Sequence, residues 1–273
     1  MPELLRLGIS PCPNDTYIFY ALVHGRVGAE DVRFQTSLAD VQELNEAALE
    51  GRFDMVKVSA AVYARLKKDY VLLRSGGALG WGCGPVLVAR QDLDLADLAG
   101  AEVAVPGLMT TAARLLRLHG LHKGRLKVKR YDEIMPAVSA GEVPAGLVIH
   151  EGRFTYQRYG LKKLLDLGSW WEETTGKPLP LGCILARKEL GRDMHRRLEV
   201  AIRASIDYAR HHPQEAWPYI RRLAQEMDEA TILEHIDTFV TEHSYDLGAE
   251  GLLALERLAG EDQEDSEADN LRK

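Results

Sequence analysis

The chain has 273 residues, 46% of them apolar and 27% charged, and its 34 basic and 41 acidic side chains leave a formal charge of −7. This is an ordinary globular composition. It lacks the basic excess that phosphate-backbone binding requires, so nucleic acid is excluded as an expected partner, and no apolar run approaches the roughly 18 residues of a membrane span. In chain order, residues 4–9 predict a strand, 16–24 a helix and 32–38 an extended segment. Residues 1–8 thus read as structure rather than as a charged, apolar and small-residue export leader, and a cytoplasmic protein is expected. Asp40 is placed to cap a helix through Glu50, with Val41, Leu44, Ala48 and Leu49 at core spacing and Gly51 ending it. A strand over 54–58 leads into a helix over 59–68, and strands follow over 71–74 and 85–90. A second set comprises a strand at 102–105, a helix at 110–119, a strand at 127–130, a helix at 132–140 and a strand at 145–150. Beyond residue 190 the pattern is helical, over 192–212, 213–225, 228–243 and 248–259, with Pro213 suited to a first turn and Leu198, Ile202, Ile206 and Ala209 forming an apolar stripe. Residues 261–273 hold six acids and read as a mobile acidic tail.

Strand–helix alternation predicts open, largely parallel α/β sheets. Two features split them into lobes. Residues 40–59 and 132–150 share the order helix, glycine, strand, polar residue. Two similar apolar segments, Gly84-Pro-Val-Leu-Val-Ala-Arg90 and Gly182-Cys-Ile-Leu-Ala-Arg187, bracket one complete α/β set. Residues 1–86 with 187–273 are therefore expected to form one lobe, and 87–186 an inserted second, with a cleft between.

Ligands of open α/β sheets bind beyond the carboxyl ends of the strands. Four turns lie there: Ser10-Pro-Cys-Pro-Asn-Asp-Thr16, Lys57-Val-Ser59, Pro106-Gly-Leu-Met-Thr-Thr111 and His150-Glu151. Three open helices, whose first N–H groups carry partial positive charge and suit a carboxylate. Taken singly, Ser59, Thr110 and Thr111 are ordinary caps, and the prolines with Asn14 and Asp15 an ordinary tight loop; their joint placement at strand ends makes them candidates. Lys57 adds a positive charge if it points into the cleft. His150 is the sharpest candidate, since an imidazole near neutrality can take a proton without metal help. The other histidines read as helix-end or surface residues. Cys12, Cys83 and Cys183 form no paired spacing, and Cys12 reads as packing. Residues 75–85 read as a flexible, glycine-rich approach to the second lobe, with Trp81 as a cleft-lining candidate. No second histidine at zinc-binding spacing, P-loop, dinucleotide fingerprint or nucleophile elbow is present.

The run Ser10-Pro-Cys-Pro-Asn-Asp-Thr-Tyr-Ile-Phe-Tyr-Ala-Leu closely resembles the 1,4-dihydroxy-6-naphthoate synthase family. So do Arg74-Ser-Gly-Gly-Ala-Leu-Gly, Pro106-Gly with Thr110-Thr111, Ile149-His-Glu-Gly-Arg-Phe-Thr-Tyr and Pro178-Leu-Pro-Leu-Gly182. The resemblance covers residues 4–245 and implies a two-lobed periplasmic-binding-protein-like (type II) α/β fold with two crossover strands and a helical C-terminal segment. It further implies a cytoplasmic enzyme of the futalosine route to menaquinone. Such an enzyme is a carbon–carbon lyase converting cyclic dehypoxanthinyl futalosine to 1,4-dihydroxy-6-naphthoate with no metal or organic cofactor. His150 would be its base, and the Lys57–Val58–Ser59 turn and Thr110-Thr111 its substrate contacts; Asn14 and Asp15 join them as ligand or inter-lobe contacts. The partner expected is a small anionic molecule. Two competing readings share the fold: a cytoplasmic binding or sensing protein for a small aromatic carboxylate, and a lyase or isomerase for another such acid.

Overall fold

The computed structural model describes residues 3–28, 32–225 and 228–270. The first lobe begins with β1 (Glu3–Ile9), α1 (Pro13–Val23), β2 (Val32–Leu38), α2 (Val41–Leu49), β3 (Met55–Ser59), α3 (Tyr63–Leu66) and β4 (Tyr70–Gly80). The second holds β5 (Val86–Arg90), β6 (Val103–Val105), α4 (Thr111–His119), β7 (Leu126–Val128), α5 (Tyr131–Ser139), β8 (Ala145–Val148), α6 (Gly152–Thr155), β9 (Leu161–Asp166) and α7 (Leu167–Thr175). The chain then returns through β10 (Leu179–Arg187) to α8 (Gly191–His211), α9 (Pro213–Leu223), α10 (Glu229–Phe239), α11 (Glu242–Tyr245) and α12 (Gly248–Asn270).

Each lobe carries one five-stranded sheet, ordered β2-β1-β3-β10-β4 in the first and β7-β6-β8-β5-β9 in the second. The expectation of largely parallel sheets needs correcting. β10 runs antiparallel between β3 and β4, and β5 antiparallel between β8 and β9, because each enters its sheet from the opposite lobe. The chain passes between lobes twice, between β4 and β5 and between α7 and β10. The expected boundaries at 86/87 and 186/187 fall inside β5 and β10. Each of these strands pairs along its whole length within one sheet, so the crossings lie just before them.

Local sequence explains most elements. Asp40 caps α2 through the Gln42 N–H while Glu43 returns a bond to the Asp40 N–H. Pro13, at the first turn of α1, starts that helix three residues earlier than the apolar pattern suggests. Residues 75–80, expected to be a flexible approach, continue β4, with Ala78, Leu79 and Gly80 paired to β10 beyond a register shift. Trp81, expected to line the cleft, is 52% exposed. Trp171 lies in the core of the second lobe and donates its indole N–H to the Pro178 carbonyl.

The helices after β10 close the far side of the first lobe, with Leu198 and Ile202 of α8 joining Leu7, Ile18 and Ile184 in one core. A second apolar cluster crosses the junction, joining Leu79, Leu179 and Leu255 to Leu87, Val105 and Trp171. The backbone of α12 extends through residues 261–270, and residues 271–273 of the acidic tail lie outside the described residues. Among the described residues no helix is long and apolar enough to cross a membrane.

Where the chain enters the second lobe, Gly84 and Gly168 meet backbone to backbone. A Cβ on Gly84 would stand 2.2 Å from the Gly168 Cα. Gly84→Val is expected to lower stability by about 1–3 kcal/mol, read as a reduced midpoint in urea unfolding.

Candidate active site

A cavity lies between the lobes, and the candidate base and substrate contacts proposed from sequence all line it: Asn14, Asp15, Lys57, Val58, Ser59, Thr110, Thr111 and His150. These residues come from the carboxyl ends of β1, β3, β6 and β8, as the rule for open sheets anticipates. The cavity is about 80 Å³, room for a few waters and well short of the roughly 300 Å³ at which small-molecule pockets begin. The lobes are thus shut. Across their junction the Ala61 N–H donates to Thr111 Oγ1 at 3.3 Å, and the Met109 N–H to Gln42 Oε1 at 3.2 Å.

On the first-lobe wall, Lys57 Nζ pairs with Asp15 Oδ1 at 2.8 Å, both side chains almost wholly buried. Asp15 also accepts from the Ser10 N–H, the Ser10 hydroxyl and the Asn14 amide. Lys57 therefore lines the cavity with its charge already matched, rather than as the free cation that the sequence left open. Ser59 is held by Asn45, which receives the Ser59 N–H at 2.8 Å and donates to its hydroxyl at 3.0 Å.

On the facing wall, Thr110 caps α4 by accepting the Ala113 N–H, and Thr111 donates its hydroxyl to the Leu181 carbonyl at 2.8 Å. The capping leaves the Thr111 and Ala112 N–H groups, at the first two positions of α4, without an intrahelical acceptor beside the cavity. Val41, Ile149, Leu181 and Phe239 supply apolar surface.

His150 stands just past β8 with φ at 55°, the only non-glycine with positive φ among the described residues. That left-handed conformation costs roughly 1–3 kcal/mol and is held by the surroundings of the ring. His150 Nε2 lies 3.5 Å from Cys12 Sγ, and the Tyr131 ring stands edge-on at 5.0 Å. Burial is the chief reason that the His150 pKa falls to about 4; the Glu151 carboxylate acts to raise it, while His235 opposes. The imidazole is therefore neutral near pH 7, although its cavity side keeps some exposed surface. Burial likewise pushes the Cys12 thiol well up, so sulfur stays protonated.

Two sequence readings need correcting here. Cys12, read as packing without a partner base, touches His150. His235, read as surface-like on a late helix, is 0% exposed and stacks on His150 at 6.0 Å. Sequence reasoning also passed over Asn45, whose signal was an amide on the apolar face of α2 between Leu44 and Ala48. For Tyr131 and Phe239 no local signal existed. Among the described residues no group of three or more His, Cys, Asp or Glu side chains is arranged to hold a metal ion.

Fold and site together define a two-lobed, binding-protein-like chain with a shielded imidazole at the lobe junction. The chain belongs to the menaquinone biosynthesis family, whose profile matches residues 5–263, and it is an enzyme. It is 55% identical over 260 residues to a Thermus thermophilus protein named 1,4-dihydroxy-6-naphtoate synthase, covering 95% of this chain and 94% of that one. A Streptomyces coelicolor protein of the same name is 48% identical over 264 residues, covering 94% and 92%. A solved structure from Archaeoglobus fulgidus superposes with a TM-score of 0.88 at 34% identity over 98% of each chain. The periplasmic aliphatic sulphonate binding protein of Escherichia coli shares the fold alone, with a TM-score of 0.66 at 17% identity over 97% of this chain and 88% of that one.

The lowered His150 pKa has a consequence for stability. The unfolded chain binds a proton at this residue near pH 6.5, the folded chain only near 4. Stability linked to His150 is therefore full above pH 6.5 and drains away as pH falls toward 4, by at most about 3 kcal/mol. Chemical unfolding at stepped pH should show this loss, and His150→Asn should flatten the curve between those limits.

Proposed function

We propose that the protein is a 1,4-dihydroxy-6-naphthoate synthase, a lyase that cleaves a carbon–carbon bond of cyclic dehypoxanthinyl futalosine with His150 as base. The observation that carries this reading is that a neutral, largely desolvated imidazole and the unoccupied N–H groups at the start of α4 line one cavity. The names of the two close relatives support the same product.

The benzoate-type carboxylate of the substrate docks on the Thr111 and Ala112 N–H groups, where the α4 dipole favours an anion. Ser59 contributes a hydroxyl, and Val58, Ile149 and Leu181 take the ring faces. The Lys57–Asp15 pair, being neutral overall, keeps the first-lobe wall polar without competing for the carboxylate. Closure excludes water and sets the spiro sugar portion against His150. His150 Nε2 donates its hydrogen toward Cys12 Sγ, and Nδ1 takes the substrate proton. Cleavage releases the sugar-derived fragment, and aromatisation of the new ring supplies driving force. The same reading places the enzyme in the cytoplasm with a small anionic substrate as its partner.

The test is direct. Purified protein incubated with cyclic dehypoxanthinyl futalosine should form the naphthoate, detected by absorbance and mass. His150→Asn should fold normally and turn over about 10²–10⁴-fold more slowly. Binding of the compound without product in the wild type would instead make the chain a receptor. Full turnover in His150→Asn would remove the base from that residue.

A further inference from the structure

Behind His150 a line of polar side chains crosses from one lobe to the other. It begins at Lys57, whose ammonium fixes Asp15, and Asp15 in turn accepts Asn14 Nδ2 at 3.0 Å. That bond sets the Asn14 amide, since a flipped amide would turn its oxygen onto a carboxylate oxygen. Asn14 Oδ1 then faces His235 Nε2 at 3.0 Å and can only accept. His235 Nε2 therefore carries a hydrogen. The other ring nitrogen, Nδ1, lies 3.4 Å from Glu151 Oε2.

Both atoms of that last contact are buried, and both lack a hydrogen-bond partner if His235 is neutral. A bare nitrogen lone pair would then face a carboxylate oxygen, two unpaired acceptors shut away from water. One added proton removes both faults. With hydrogen on Nδ1 as well as Nε2, the imidazolium donates to Asn14 on one side and to Glu151 on the other. We infer that His235 is a positioning residue, doubly protonated in the closed protein, whose proton bridges to Glu151 across the lobe junction and holds the His150 turn in its strained conformation. This inference rests on the reading of His150 as the base.

Glu151 agrees with this arrangement. Burial alone would raise its carboxyl, but the hydrogen bond and charge of His235 outweigh it and hold the carboxyl below its ordinary value. Asn14 and His235 belong to the first lobe, Glu151 to the second, so the bridge exists only when the lobes meet. The titratable and charged groups facing it are Cys12 before α1, Asp15 on α1, Lys57 on β3, Tyr131 on α5 and His150 beside Glu151. Raising the pH removes the bridging proton, sets acceptor against acceptor and drives the junction apart. Loss of activity therefore lies on the alkaline side.

Two variants separate the bridge from mere packing. Glu151→Gln offers an amide N–H to an unprotonated Nδ1, replacing the bridge without the extra proton. Glu151→Ala offers nothing. Nitrogen-15 spectra of histidine-labelled, unliganded full-length protein at neutral pH should show His235, assigned by its loss in His235→Phe, with both ring nitrogens protonated. In Glu151→Gln only Nε2 should carry hydrogen. A singly protonated His235 in the wild type overturns the inference, whatever the enzyme's substrate proves to be.

In turnover of cyclic dehypoxanthinyl futalosine, His235→Phe should lower kcat about 10–10²-fold with a smaller change in KM. The wild-type kcat should fall on its alkaline side, Glu151→Gln should lose that limb while keeping most of the activity, and Glu151→Ala should be slow at every pH. A limb unchanged in Glu151→Gln overturns the bridge. A fully active His150→Asn alongside the expected spectra removes the base reading and leaves the bridge standing. Should His235→Phe fail to fold, the alkaline limb of Glu151→Gln decides the matter.

Discussion

Lys57 Nζ and Asp15 Oδ1 meet at 2.8 Å with almost no access to water, and the orientation of the polar groups around His150 follows from that contact. An isolated buried charge costs several kcal/mol, so either member alone would be untenable. Paired, and with Asp15 further held by Ser10 and Asn14, they form a neutral and rigid unit. Its value lies less in net stability than in geometry. The pair fixes which way Asn14 points, and Asn14 fixes the hydrogen on His235. A site assembled from long, free side chains would have to order them at each closure, at an entropic cost that this arrangement has met during folding.

The same pair shapes the electrostatics of the cavity. A free lysine would attract any anion to the first lobe. With its charge matched by Asp15, the unpaired N–H groups at the start of α4 remain to favour a carboxylate, and they lie on the second lobe. The proposed substrate would then be anchored to one lobe and reached by the other only on closure. At about 80 Å³ the closed cavity is too small to admit it, so entry requires the lobes to part. Opening breaks the Ala61–Thr111 and Gln42–Met109 contacts, both of which are single hydrogen bonds worth about 1 kcal/mol each.

Much of this was legible in the sequence, for identifiable reasons. The helix of Asp40, the strands at 4–9 and 32–38 and the helix after Thr110 are set by caps and periodicity within ten residues of chain. The cavity-lining turns could be found because the ends of strands in open sheets are special whatever the fold. The strand direction of β5 and β10 was not legible, since it depends on the side from which a strand enters its sheet. The extension of β4 to Gly80 was hidden for the same reason: Ala78, Leu79 and Gly80 pair with β10, a strand remote in sequence, and this outweighs local flexibility. His235 shows the limit most clearly. Its helix has alternating polar and apolar residues that suit a surface, and only the arrival of α1 and the His150 turn buries it.

In a solute-binding fold, closure ordinarily trades water on the two lobes for ligand between them. Here part of that exchange is made by the protein with itself, through Cys12 on His150 and His235 on Glu151, both pairs reaching across the lobes. Such contacts favour closure before any ligand contributes, and they bury the imidazole enough to keep it neutral. The binding free energy of a substrate is then not needed to desolvate the proposed base and can be directed to orienting the bond that breaks. A receptor gains nothing from this, because contacts that shut an empty cleft must be broken before ligand can enter and so lower its affinity. An enzyme gains a preformed reacting centre. A junction that satisfies its own polar groups is what separates the proposed catalytic use of this fold from simple capture.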